Sequence, residues 1–337
     1  VILHASEPEK GPSVGNPDDF VRAFLFGTSG ILKDGQALRS TLRMDDKTQG
    51  WVGIPHGGVA MGAMADLAFA LMGEADGPFG PYPFSIDYRM GGASARLGDK
   101  LQIELTATEG GARGVMVKDP KAAPYLSATF RFAHDDPSQR ETFQSYLPAH
   151  AGDIENRMLP LPSYRNCFVC GFARREPGLE RRFYVLDTPD RQKIVVSPVG
   201  CAGNSGEAFY RFQRRGRLHP LPLLALLDEI IGWGGFLLAA SGGVTVKASY
   251  TFYRDIRAGE PLLVFGRGEK IRGHNASRLL FWASGGAAAV CGNGILEPVV
   301  VASGQYLGVG ALTEQMRREL LPADLTHRAF QLAGAGE

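Results

Sequence analysis

The segment Ile54-Pro55-His56-Gly57-Gly58-Val59 leads directly into an apolar run ending Met64-Ala65-Asp66-Leu67-Ala68-Phe69-Ala70-Leu71-Met72, which carries a single acid. A second copy of the unit starts at His219-Pro220-Leu221-Pro222. It continues Leu223-Leu224-Ala225-Leu226-Leu227-Asp228-Glu229-Ile230-Ile231-Gly232-Trp233. The two histidines stand 163 positions apart, and the acids Asp66 and Asp228 stand 162 apart. A near-constant offset over half the chain implies an internal duplication. The 337 residues then divide into two similar units, each long enough to bury its own core.

Within each unit the pattern is one helix followed by strands. Residues 57–72 are apolar on nearly every side, which predicts a buried helix rather than an amphipathic one. Residues 73–83 are dense in Gly and Pro and read as turns. Strand-like runs come at 84–90, 100–108, 115–117 and 125–132, with 37–43 ahead of the helix. The second unit repeats the order, with a helix at 221–240. Its strands are expected at 182–186, 193–197, 244–253, 261–268, 277–283 and 287–295. This is an α+β arrangement. The expected organisation is a lead-in at 1–20, a first domain at 21–134, a Pro-rich linker at 135–163, a second domain at 164–300 and a tail at 301–337. A terminal helix is expected at 311–324.

Composition excludes several functions. A net charge of +1 gives no electrostatic footprint for nucleic acid or an anionic membrane. No apolar run is expected to serve as a membrane helix of about 18 residues. No signal-peptide pattern is visible, and Cys167, Cys170, Cys201 and Cys291 do not form a disulfide framework, so a cytoplasmic setting is expected. Cys167-x-x-Cys170 has no second pair at finger spacing, so no metal is expected. There is no GxxxxGK[ST] and no GxGxxG, and residues 203–207 miss the nucleophile-elbow pattern at its last glycine.

His-Gly-Gly at a helix start, with an acid nine or ten residues on, resembles the hot-dog fold, and within it the phenylacetate-degradation-type acyl-CoA thioesterases. Asn166-Cys167-Phe168-Val169-Cys170-Gly171 adds to the likeness, which covers about residues 30–134 and 165–300. The resemblance implies two tandem hot-dog domains forming an intrachain pseudo-dimer, joined further into a homo-oligomer. It also implies that a glycine of one half works with the acid of the other. One site would then pair Gly57 with Asp228, and a second would pair the segment after His219 with Asp66.

The chemistry of these residue types fits thioester hydrolysis. N–H groups at a helix start have no partner in the helix and lie at its positive end. A glycine there lets a carbonyl approach, and the N–H stabilises the developing oxyanion. An ionised Asp can activate water or attack the carbon itself. Pro220 has no N–H to offer, so only the first site is complete. The catalytic candidates are therefore Asp228, Gly57 and His56. Gly58, Gln49, Asp66, Glu229, Lys247 and Arg254 are candidates for contacting substrate, and Glu229 rivals Asp228 because a one-residue shift exchanges them. The plain readings are packing for the glycine pair, a structural bond for Asp66, and a solvated face for the cluster Arg211, Arg214, Arg215 and Arg217.

The expected substrate is an acyl-CoA or acyl-carrier thioester, with no cofactor beyond the coenzyme A it carries. Two other activities suit the same fold: an acyl-CoA-binding module without turnover, and a hydratase or dehydratase of enoyl or 3-hydroxyacyl thioesters. The Asp-x-Asn-Pro-x-His signature of the hydratases is absent.

Overall fold

The computed structural model describes residues 19–73, 79–135, 137–186, 193–201, 206–273 and 279–334. Two long helices, Gly57–Met72 and Pro220–Ala239, pack against the same face of a 13-stranded antiparallel sheet. From one edge, the first half contributes Leu32–Asp34, Ala37–Arg43, Lys100–Thr108, Gly111–Val117, Leu126–Phe132 and Phe84–Met90. The second half continues with Gly243–Phe252, Leu296–Gly308, Leu280–Val290, Leu262–Arg272, Ile194–Val199, Tyr184–Leu186 and Met158–Pro160. The halves join where Phe84–Met90 pairs antiparallel with Gly243–Phe252, in a register running from Phe84 opposite Phe252 to Arg89 opposite Lys247. The duplication read from the sequence is thus a pseudo-twofold about this seam.

Strand periodicity explains the first half. In Lys100–Thr108 the residues Leu101, Ile103 and Leu105 are buried against the helix while their neighbours face solvent. Each large apolar side chain sealed this way contributes about 1.5–3 kcal/mol. The second half is covered on both faces. Every residue of Ile194–Val199 is buried, because the helix Pro137–Gln144 lays Phe143 over the outer face, 6.2 Å from the Phe265 ring. The expected linker at 135–163 therefore holds this helix, the 3-10 turn Ala151–Arg157 and the edge strand Met158–Pro160.

Other expectations are corrected. Residues Phe20–Phe26 form a helix capped by Asp19. The two strands expected at 277–283 and 287–295 are a single strand, Leu280–Val290, followed by Leu296–Gly308, which runs across residue 300. The terminal helix is a pair, Gly310–Glu319 and Ala323–Gly334. Phe330 of the second member packs on Phe236 with ring centroids 5.1 Å apart. By length and composition Pro220–Ala239 does reach the apolar content of a membrane-crossing helix, contrary to expectation. It lies mostly inside the fold, between the sheet and the other helices.

The two long helices touch through their small residues. A Cβ built on Gly58 would fall 2.3 Å from the Ala225 Cα, and one on Gly62 would fall 2.3 Å from Leu221 Cδ1. Adding 163 to 58 and 62 gives 221 and 225, so the two contacts are images of each other under the pseudo-twofold. This close crossing brings the start of each helix beside the middle of the other.

Candidate active site

His56 is the N-cap of the first helix. Its backbone is extended, and its Nδ1 accepts from the Gly58 N–H at 3.0 Å. A backbone N–H only donates, so Nδ1 carries no proton and Nε2 carries one. Nε2 then donates to Glu229 Oε2 on the other helix, at 3.3 Å. The Cys167 thiol donates to the same oxygen at 3.0 Å. The Val59 N–H is bound by the His56 carbonyl. Gly57 is left with an N–H that has no acceptor among the described residues.

Asp228 lies beside Gly57. A Cβ on Gly57 would lie 3.5 Å from Asp228 Oδ2, with only Met61 Cε otherwise near, at 4.0 Å. The other oxygen, Oδ1, accepts from the Thr245 hydroxyl at 2.8 Å. One carboxylate oxygen is thus held by the strand Gly243–Phe252 and the other points at the helix start. Burial pushes the Asp228 carboxyl above its usual range, against the opposing pull of His56 and Thr245. A carboxylate with raised basicity, next to an unused backbone N–H, suits proton abstraction from water.

The other end repeats the frame and fills it. His219 caps the second helix through Leu221 N–H to Nδ1, 3.0 Å, and its Nε2 lies 3.3 Å from Asp66 Oδ1. Here the acid is locked by two arginines: Arg214 at 2.7 Å and Arg22 Nε at 3.1 Å. Arg214 is also paired with Asp19, and its guanidinium lies over the Phe79 ring. Phe79 stacks edge-on against His219, centroids 4.9 Å apart. Burial alone would raise the Asp66 carboxyl, but the contact with His219 and the charges of Arg214, His219 and Arg22 hold it well below the usual range. Pro220 supplies no N–H at the position of Gly57.

This comparison corrects the pairing of the acids. The histidine contacts show that the counterpart of Asp66 is Glu229, not Asp228. Both lie ten residues after their own half's histidine and touch the opposite one. The counterpart of Asp228 is Ala65, so Asp228 is an extra acid present at one end only.

The remaining candidates fall out as follows. Gly58 has its N–H taken by His56 and its Cα pressed on Ala225, so it serves packing rather than substrate. Asp66 is fully buried in ion pairs and is closed to substrate. Glu229 holds His56 and Cys167. Gln49 lies near His56: its side-chain amide donates to the Trp51 carbonyl at 3.1 Å and to the Tyr164 hydroxyl at 3.3 Å, and its backbone carbonyl accepts from the Phe168 N–H. Lys247 is exposed on the sheet face opposite the buried Ala248 and Tyr250. Arg254 is bound to Glu260 and Glu297 and lies toward the His219 end, where Leu218 N–H meets the Ile256 carbonyl. Neither cation reaches Asp228. Thr245 was missed by sequence reading. It sits beside a β-bulge that breaks the strand's alternation, so no pattern marks it as inward-facing.

His56, Cys167 and Glu229 bring one ligand atom each within 4.8 Å of one another, a donor set of the kind zinc takes. The cap argues against it. A ligating imidazole donates through its other nitrogen, whereas Nδ1 here accepts from Gly58, as its counterpart in His219 does from Leu221. Burial raises the Cys167 and Cys170 thiols, which keeps them protonated and poor as nucleophiles.

No family model matches the sequence, and no curated protein matches it. Solved structures do match in shape. The tesB protein of Mycobacterium avium subs paratuberculosis aligns with 82% of this chain and 95% of its own, at 13% identity and a TM-score of 0.50. A putative thioesterase II of Thermobifida fusca YX aligns with 84% of this chain and 97% of its own, at 15% identity and TM-score 0.49. The dehydratase domain of PpsC from Mycobacterium tuberculosis, in complex with C12:1-CoA, aligns with 86% and 99%, at 12% identity and TM-score 0.46. The thioesterases among these neighbours are of tesB and thioesterase II type, not of the phenylacetate-degradation type the motifs suggested. At these identities the likeness is one of fold: the chain is an α+β protein with the architecture of a tandem double hot-dog.

Proposed function

We propose that this protein hydrolyses an acyl thioester, with coenzyme A as the thiol carrier, at a single site shared by its two halves. The observation that carries the reading is Asp228 Oδ2 from one half beside Gly57 of the other, whose N–H is unused. Asp228 takes a proton from a water molecule, whose oxygen attacks the thioester carbon. Negative charge moves to the carbonyl oxygen, where the Gly57 N–H receives it. The C–S bond then breaks, and the proton held by Asp228 passes to the leaving thiolate. The products are a carboxylic acid and a free thiol. His56 neither gives nor takes a proton in this scheme, although its Nδ1 lies 3.9 Å from Asp228 Oδ2. It fixes the helix start, and Glu229 fixes His56. A thioesterase of the phenylacetate-degradation type, which the motifs resemble, would use such an acid in trans.

The test is thiol release from short, long and aromatic acyl-CoAs by the wild type, Asp228→Asn and Asp66→Asn. Loss confined to Asp228→Asn supports the reading. Tight binding of the acyl-CoAs without release of thiol would replace it with a binding module.

A further inference from the structure

Four tyrosines, Tyr88, Tyr125, Tyr250 and Tyr306, are buried around the two helices. Three have hydroxyls committed to the protein. Tyr88 donates to the Met61 carbonyl at 2.8 Å, Tyr250 to Met61 Sδ at 3.6 Å, and Tyr306 to the Asp228 carbonyl at 3.2 Å. The Tyr125 hydroxyl has no hydrogen-bond partner among the described residues. It is also not one of the polar atoms sealed away from all space. A phenol that is 7% exposed, with no protein partner and a reachable oxygen, is free to donate to a ligand.

Strand register places it at the right end of the molecule. The Tyr125 carbonyl accepts from the Gly91 N–H at 2.8 Å, one step beyond the Met90–Leu126 pair. Arg89 lies opposite Lys247, so Met90 and Gly91 run alongside Thr245, the residue that holds Asp228. The charge of Asp228 also reaches Tyr125: burial is the larger influence raising its phenol, and Asp228 raises it further. At the opposite end the equivalent bond runs from Tyr253 N–H to the Val299 carbonyl, so a fully buried Val299 stands where Tyr125 does. Tyr125, like Asp228 and the Gly57 N–H, exists at one end only.

We propose that the Tyr125 hydroxyl is a second hydrogen-bond donor to the carbonyl oxygen of the substrate, acting with the Gly57 N–H. This rests on the thioesterase reading for its substrate, and two measurements separate the two. The first is binding of two inert acyl-CoA analogues by calorimetry: a ketone with CH2 in place of sulfur, which keeps the carbonyl, and a thioether with CH2 in place of the carbonyl. The wild type is expected to prefer the ketone, and Tyr125→Phe to weaken ketone binding about 3–10-fold while leaving the thioether unchanged. The second is turnover, where Tyr125→Phe is expected to lower kcat on the order of 10²-fold with KM within about twofold. An unchanged melting curve shows that the variant folds.

Full turnover by Tyr125→Phe sinks the inference and leaves the thioesterase reading standing. A wild type that releases no thiol, yet prefers the ketone through Tyr125, sinks the thioesterase reading and leaves the donor. Equal binding of the two analogues by the wild type removes the donor role outright.

Discussion

The His56 and His219 ends of the molecule share a frame. Each histidine caps a helix through Nδ1, and each turns Nε2 toward an acid ten residues along the other half's helix. Around that frame the residues diverge. At the His219 end the acid meets Arg22 and Arg214, the helix starts with Pro220, and Phe79 packs on the ring. At the His56 end Glu229 meets a thiol, the helix starts with Gly57, and Asp228 is added. Gly50 matches Arg214 in the hairpin order, but a Cβ on Gly50 would fall 2.7 Å from His56 Cα, so no arginine can reach in from there. The contrast shows that the histidine is architecture common to both ends. In the proposed reading, the chemistry belongs to what one end has and the other lacks.

The largest effect that would sharpen this contrast is Asp228→Asn. Thiol release should fall about 10²–10⁴-fold. The melting temperature should hold or rise, since the variant no longer needs to bury a charge. A loss of activity accompanied by unfolding would contradict it. Asp66→Asn should do the reverse. Removing the carboxylate takes away the acid that buried Arg22 and Arg214 share, at a cost of about 3–5 kcal/mol in chemical denaturation, although Arg214 keeps Asp19. Activity per folded molecule should persist; a variant that is stable but inactive would mean that the His219 end is the working one.

Gly57→Pro copies Pro220 into the first half. His56 has φ −72° and ψ 123°, close to the −68° and 145° of His219, so the backbone already suits a following proline. With the N–H gone, kcat should drop about 10²–10³-fold while the fold is kept. Wild-type kcat in Gly57→Pro would remove that N–H from the mechanism.

The two acids also predict opposite responses to pH. The Asp228 carboxyl is raised in the folded state, so ionising it costs stability: no cost below the unfolded value, about 3.9, and the full cost above the raised folded value. The rate should climb with pH through that same raised value. Asp66 is depressed, so its contribution is present above the unfolded value and lost as pH falls toward the folded one. Asp228→Asn should flatten the rate profile, and denaturation of Asp66→Asn should lose the part of the acid-side dependence that Asp66 supplies. The smallest effect is expected from Cys167→Ala, which removes one donor to Glu229 and should cost about 0.5–1.5 kcal/mol of stability. A collapse of activity in this variant would assign the thiol a larger part than support of Glu229.

The first helix was legible to the residue, because a capping histidine, two glycines and an unbroken apolar run mark its start and the following Gly73 its end. The strand Leu280–Val290 was not. Ser284-Gly285-Gly286-Ala287 reads as a turn, yet a Cβ on Gly285 would meet Phe265 O at 2.2 Å and one on Gly286 would meet Val300 O at 2.5 Å. These glycines serve close packing within a continuous strand. The pairing of Gly57 with Asp228 was readable from the resemblance alone. The assignment of Glu229 was not, because two adjacent acids fit an offset of 162 or 163 equally well. His56 meets both, and only its Nε2 contact, which matches that of His219 with Asp66, decides. Thr245, Tyr125 and Arg22 are brought in by strand register and tertiary packing, which leave no mark on local sequence.

The seam between Phe84–Met90 and Gly243–Phe252 has a consequence for how such a protein can change. Were the two halves separate copies of one chain, every substitution would fall on both ends at once. A proline at the helix start would silence both sites, and an arginine pair would plug both. Joined in one chain, each end can be altered without its image. One end is then free to become a strut while the other stays open, and the strut supports the scaffold on which the open end depends.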